Sequence, residues 1–229
     1  MGQITLAGNP EIEVTLRRSA RARRLTLRIS SLDGRVTLTL PRAVPESEGL
    51  AFLRTKERWL RGHLAGQQAA VAVRPGARLP VEGTLHEVRT GTGRMVRQAE
   101  GVLWVPGPDE RVAARLQAWL KTRARDRLAE ASDRYAARLG LPYSRITLRD
   151  PRSRWGSCTH DGGLMYSWRL ILGHPEVLDY VAAHEVAHLR HMDHSEAFWR
   201  QVEALYGDWR AARGWLRKSG AELHRYRFD

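Results

Sequence analysis

The chain has 229 residues, of which 42% are apolar, so it can bury a sizeable core in one domain or two and is too apolar for a disordered tail. Its 38 basic residues against 25 acidic ones give a net charge of +13, which draws a protein towards polyanions such as nucleic acid, nucleotides or acidic peptide segments. No apolar run is long enough for a spanning helix, Met1 to Ile4 lack a signal-peptide pattern, and the one cysteine, Cys158, excludes an intrachain disulfide, so a cytoplasmic protein with no membrane association is expected.

The first part of the chain reads as β-structure. Ile12, Val14 and Leu16 alternate, then Leu25, Leu27 and Ile29, then Val36, Leu38 and Leu40, with a turn signal at Asp33-Gly34. An antiparallel meander is expected. Arg17, Arg18, Arg21, Arg23 and Arg24 form the densest basic cluster, either a patch for a phosphate or acidic ligand or a solvated loop and strand edge. From Glu46 to Ala65, Leu50, Phe52, Leu53, Trp59, Leu60 and Leu64 recur at helical spacing and predict one amphipathic helix. Pro75 and Pro80 bracket a loop, after which 82–89, 94–98 and 102–105 read as short strands. Pro106-Gly107-Pro108 punctuates the chain and divides it into a β-rich portion, 1–107, and a second domain, 108–229.

A helix of about thirty residues is expected to start with Asp109 as its cap and to stop at Gly140 and Pro142. Ser144 to Leu148 alternates as a strand, Arg154-Trp155-Gly156-Ser157-Cys158 follows, and Gly163 to Ser167 reads as a strand after a turn. This last strand is a candidate edge along which an extended substrate could add main-chain hydrogen bonds. The whole is an α+β chain.

The chemistry gathers at His184-Glu185-Val186-Ala187-His188. Residues four apart share one helix face, so His184 and His188 can offer two imidazoles to one metal ion. Glu185 follows the first of them directly and points elsewhere, which suits a general base reaching a water on the metal. His194, six residues past His188, stands where a chain leaving the helix can return a third imidazole. His191 is the rival third ligand; His194 is preferred because Met192-Asp193 reads as a helix exit and Ser195 as the start of a new helix. Neutral imidazole donors suit Zn²⁺. Cys158 is a weaker alternative, a fourth soft ligand that would close the site. Arg154 or Tyr166, near in sequence, is a candidate for stabilising an oxyanion.

Taken together, Trp155-Gly156-Ser157-Cys158, the His184-Glu185-x-x-His188 run and His194-Ser195-x-x-Phe198-Trp199 resemble the YgjP-like family of predicted bacterial zinc metallopeptidases. That family is distantly similar to SprT-like and gluzincin proteins. The resemblance implies a zincin-like second domain, with His184, His188 and His194 as metal ligands and Glu185 as catalytic base. The expected activity is zinc-dependent hydrolysis of a peptide or protein substrate. Two alternatives remain: hydrolysis of a nucleotide or other phosphoanhydride, and a nucleic-acid-associated protein whose zinc site is conditional or structural.

Overall fold

Alternating burial builds the first sheet. The computed structural model describes residues 2–30, 34–65 and 69–229, and its first four strands are β1 (Gly2–Leu6), β2 (Ile12–Ser19), β3 (Thr26–Ile29) and β4 (Val36–Pro41). Ile12, Val14 and Leu16 of β2 and Val36, Leu38 and Leu40 of β4 are buried, as the period of two requires for a strand with one face on a core.

The expected meander does not form. The strand order is β1-β2-β4-β3, with β2 and β4 parallel and β3 antiparallel on the far side of β4. Alternation sets which face a residue takes but not which strand lies beside it, and pairing Val14 with Val36 and Leu16 with Leu38 keeps the buried face continuous. Of the Asp33-Gly34 turn, Asp33 lies outside the described residues. The single helix expected over 46–65 is two helices, α1 (Glu46–Thr55) and α2 (Glu57–Ala65). They break at Lys56, where the preceding Thr55 hydroxyl donates to the Phe52 carbonyl at 2.7 Å, a local bond that competes with the helical ladder.

By its contacts the chain divides into two compact units, Met1–Ala70 and Val71–Asp229. The second opens with β5 (Val71–Ala72), β6 (Arg78–Val81), β7 (Thr84–Gly91), β8 (Arg97–Ala99) and β9 (Val102–Pro106), followed by α3 (Asp109–Leu139). The order β6-β7-β9-β8, with a parallel central pair and antiparallel outer pairs, repeats the plan of the first sheet, and each sheet leads into helix. This repeat was not legible as sequence, because strand polarity leaves no residue signature. Strand β6 was expected as loop; Pro80 is tolerated because β6 is an edge strand.

Pro106-Gly107-Pro108 therefore falls inside the second unit. Leu79, Val81, Val88, Leu103 and Val105 of the sheet share one buried cluster with Val112, Leu116 and Leu120 of α3, so the Pro-Gly-Pro run links packed elements. Helix α3 begins at Asp109 with Pro108 as its N-cap residue, and Gly140, at φ 73°, ends it in the left-handed conformation.

After α3 come β10 (Arg145–Arg149), β11 (Gly156–Cys158), β12 (Gly163–Ser167), α4 (Pro175–Ala187), α5 (Glu196–Tyr206), α6 (Arg210–Ser219) and β13 (Tyr226–Arg227). Strand β12 lies between β10 and β11. The free edge expected at 163–167 is therefore not there, because β12 is hydrogen-bonded on both sides and the outer strands are β10 and β11. The fold is mixed α+β, and no helix among the described residues is long and apolar enough to cross a membrane.

Candidate metal centre

Helix α4 is buried nearly all round. Pro175 pre-sets its first turn, and Val177, Leu178, Tyr180, Val181, Ala182, Ala183, Val186 and Ala187 are in the core. In that setting Glu185, 5% exposed, is the exception. The helix ends at Ala187, so His188 is its C-cap residue, still in the right-handed helical region at φ −65° and ψ −18°. His184 and His188 therefore keep their one-turn spacing, with ring centroids 5.0 Å apart.

The chain then turns and brings back a third ring. Asp193 Oδ1 accepts from the Ser195 amide at 3.2 Å, and Ser195 precedes α5 as its N-cap residue. This returns His194 to 5.1 Å from His184 and 4.8 Å from His188, centroid to centroid. One nitrogen from each of the three histidines lies within 4.8 Å of the others, and His194 Nε2 is 3.1 Å from His184 Nε2. Phe198, fully buried, touches all three rings at 4.4 to 4.9 Å and forms their floor. The Phe198-Trp199 pair of the motif is thus the support on which the imidazoles rest, since Trp199 also lies 5.6 Å from His184.

His191 does not join the group. Its carbonyl instead accepts from His188 Nδ1 at 2.8 Å, a bond that orients the ring through its far nitrogen. Cys158 does not join either: its Sγ approaches the Thr159 carbonyl at 3.5 Å, and burial, then the Glu185 and Asp161 carboxylates, push its thiol up to about 11.

The electrostatics suit neutral donors beside a cation. Burial, reinforced by His188, His194 and Arg213, pulls His184 down to about 3, and burial lowers His188 as well. Both rings stay unprotonated near neutrality and keep a lone pair. Burial pushes Glu185 up to about 8, with Arg154 opposing. Among the described residues no hydrogen bond or ion pair holds the Glu185 carboxylate, and His184 Nδ1 is buried without a partner. A buried acid and a buried imidazole without partners are costly. Three convergent imidazole nitrogens fit a divalent cation, which would take up the lone pairs that His184 Nε2 and His194 Nε2 turn towards each other.

The Trp-Gly-Ser-Cys run has a place in this arrangement. A Cβ built on Gly156 would lie 2.5 Å from Glu185 Oε1 and 2.6 Å from its Cγ, so this glycine makes room for the acid. Trp155 packs on His224, with ring centroids 5.3 Å apart. Tyr166 is fully buried and shares a 3.0 Å hydrogen bond with Ser132 Oγ, so it is not available to an oxyanion. Arg154 is exposed and close enough to act on Glu185. Sequence reasoning missed Arg213, whose guanidinium stacks over Trp199 at 4.7 Å and Trp209 at 5.4 Å and whose charge reaches His184. One arginine among so many carried no signal of this.

The family model described as YgjP-like, metallopeptidase domain, matches residues 23–219. No curated protein matches the chain. Among solved structures, the metallopeptidase zymogen of Pyrococcus abyssi abylysin aligns with a TM-score of 0.35 and 23% identity, over 45% of this chain and 97% of that one.

Proposed function

The chain belongs to the YgjP-like metallopeptidase family, and from that membership and the three-histidine cluster we propose that it is a zinc-dependent peptidase. The observation that carries the reading is the convergence of His184, His188 and His194, with the buried, unpaired Glu185 next to His184 in the chain. The three imidazoles would hold the metal, with His188 oriented by the His191 carbonyl. Zinc held there would supply Lewis acidity, polarising a substrate carbonyl and acidifying water. A Glu185 carboxylate oxygen takes the proton of the attacking water and returns it to the leaving amine nitrogen. The free edge of β11, whose Gly156 abuts Glu185, is the strand along which we place an extended substrate.

An all-imidazole donor set favours this reading over nucleotide hydrolysis, because phosphate-handling metals are held chiefly by carboxylate oxygens. A single thiol with no disulfide partner suits a reducing cytoplasm. The test is incubation of zinc-loaded protein with a mixture of unstructured peptides and, separately, with nucleoside triphosphates. Chelator-sensitive peptide cleavage is expected; phosphate release without peptide cleavage would overturn the assignment.

A further inference from the structure

The first unit has no part in the chemistry proposed above, yet it carries an open groove of about 690 Å³. One wall is β3, the outermost strand of its sheet. Its inner neighbour β4 pairs with it from Thr26↔Thr39 to Ile29↔Val36, and no other strand lies beside it among the described residues. In an antiparallel pair about half of an edge strand's N–H and C=O groups point away from the partner. The opposite wall comes from α1 and α2.

Between these walls the groove is apolar. Leu25, Leu27 and Phe52 are half-buried and pack on the core of the unit, while Trp59 is 45% exposed. Arg24, Lys56 and Arg58 line the rim. None of the three side chains has an ion pair or hydrogen bond among the described residues, although Lys56 Nζ stands 5.9 Å over the Phe52 ring. The nearby acid Glu57 is already taken by Arg61 at 2.8 Å. An apolar trough along a free strand edge, bordered by uncommitted cations, is shaped for one kind of guest.

We propose that this groove binds an extended acidic peptide segment, which adds to the β3 edge as a further strand, sets apolar side chains on Leu25, Leu27, Phe52 and Trp59, and offers carboxylates to Arg24, Lys56 and Arg58. Strand addition supplies main-chain bonds, and the pockets for alternate side chains supply selectivity. A single-stranded nucleic acid matches less well. Its backbone phosphates accept hydrogen bonds but donate none, so they cannot pair with the outward carbonyls of β3, and among the described residues Trp59 is the one well-exposed ring on which a base could stack. The proposal does not depend on the metal centre.

The experiment uses the full chain carrying Glu185→Gln, so that no probe is cleaved. Fluorescence anisotropy is followed with a labelled decapeptide of alternating valine and glutamate, with the same peptide N-methylated at alternate residues, and with a labelled oligothymidine of equal charge. The plain peptide is expected to bind. N-methylation, Trp59→Ala and the combined change Arg24→Glu, Lys56→Glu, Arg58→Glu are each expected to weaken it about tenfold or more. N-methylation leaves the protein untouched, so its outcome does not depend on how a variant folds. Absence of peptide binding, indifference to N-methylation, unchanged affinity in both variants, or tighter binding of the oligothymidine at the same residues would each overturn the proposal.

Discussion

Gly156 and Glu185 occupy adjoining space in which one Cβ would not fit: built on Gly156, it would stand 2.5 Å from Oε1 and 2.7 Å from Cδ of the glutamate. Strand β11 is therefore held against the acid on the helix, and the glycine is what allows it. Gly156→Ala is expected to force the carboxylate aside, because its own helix is buried and cannot retreat. Turnover should fall about ten- to a hundredfold with the metal content unchanged, and stability by about 1–3 kcal/mol from overpacking. A fully active Gly156→Ala protein would mean that the placement of Glu185 is not set by this contact.

The two candidate third histidines separate cleanly. His194 brings its ring to the cluster, whereas His191 contributes its backbone carbonyl to His188 Nδ1. A side-chain deletion should thus matter only at the first. His194→Ala is expected to weaken zinc binding by two orders of magnitude or so, and His191→Ala to leave it within a few-fold. Metal content by mass spectrometry after dialysis distinguishes them, and loss of zinc in His191→Ala would reverse the assignment.

Burial makes Glu185 a pH-dependent liability in the metal-free chain. Its carboxyl is pushed up to about 8 from an ordinary 4.5, so between those values the folded state binds more protons than the unfolded one. The stabilisation is complete below pH 4.5 and lost as pH rises through about 8. Glutamine cannot ionise. Chelator-treated Glu185→Gln should accordingly gain more than about 1 kcal/mol on wild type as pH is raised from about 5 to about 9. Denaturant melts that keep the two proteins in constant relation across that range would refute it.

His224 shows the opposite sign. Burial first, then Arg169, holds it down to about 4 from 6.5, so the unfolded chain binds the extra proton in that interval. Its contribution is complete above 6.5 and is lost as pH falls towards 4. Relative to His224→Gln, wild type should lose about 1–3 kcal/mol between about pH 7 and pH 4. The comparison isolates His224, because His184 shifts alike in both proteins. Parallel stability curves would count against a neutral, buried ring.

What could be read from the sequence was local. The spacing of His184, His188 and His194 marked the cluster, and the apolar repeats marked α3 and the strands, because these signals lie within a few residues of one another. Partnership between distant segments left no such trace. Val14 beside Val36 and β12 between two strands depend on crossovers that alternation cannot encode. The same holds for Gly156, whose reason for being a glycine lies on α4, and for the sharing of one core by β9 and α3 across Pro106-Gly107-Pro108. Composition suggested a boundary there; packing placed it elsewhere.

The central claim is that Glu185 moves the proton in a peptide hydrolysis supported by the metal that the three histidines hold. The most direct measurement is peptide turnover by zinc-loaded wild type and Glu185→Gln, with zinc content determined on the same samples. The account predicts equal zinc in both and a loss of turnover of at least about a hundredfold in the variant. Equal zinc with undiminished turnover in Glu185→Gln would contradict it.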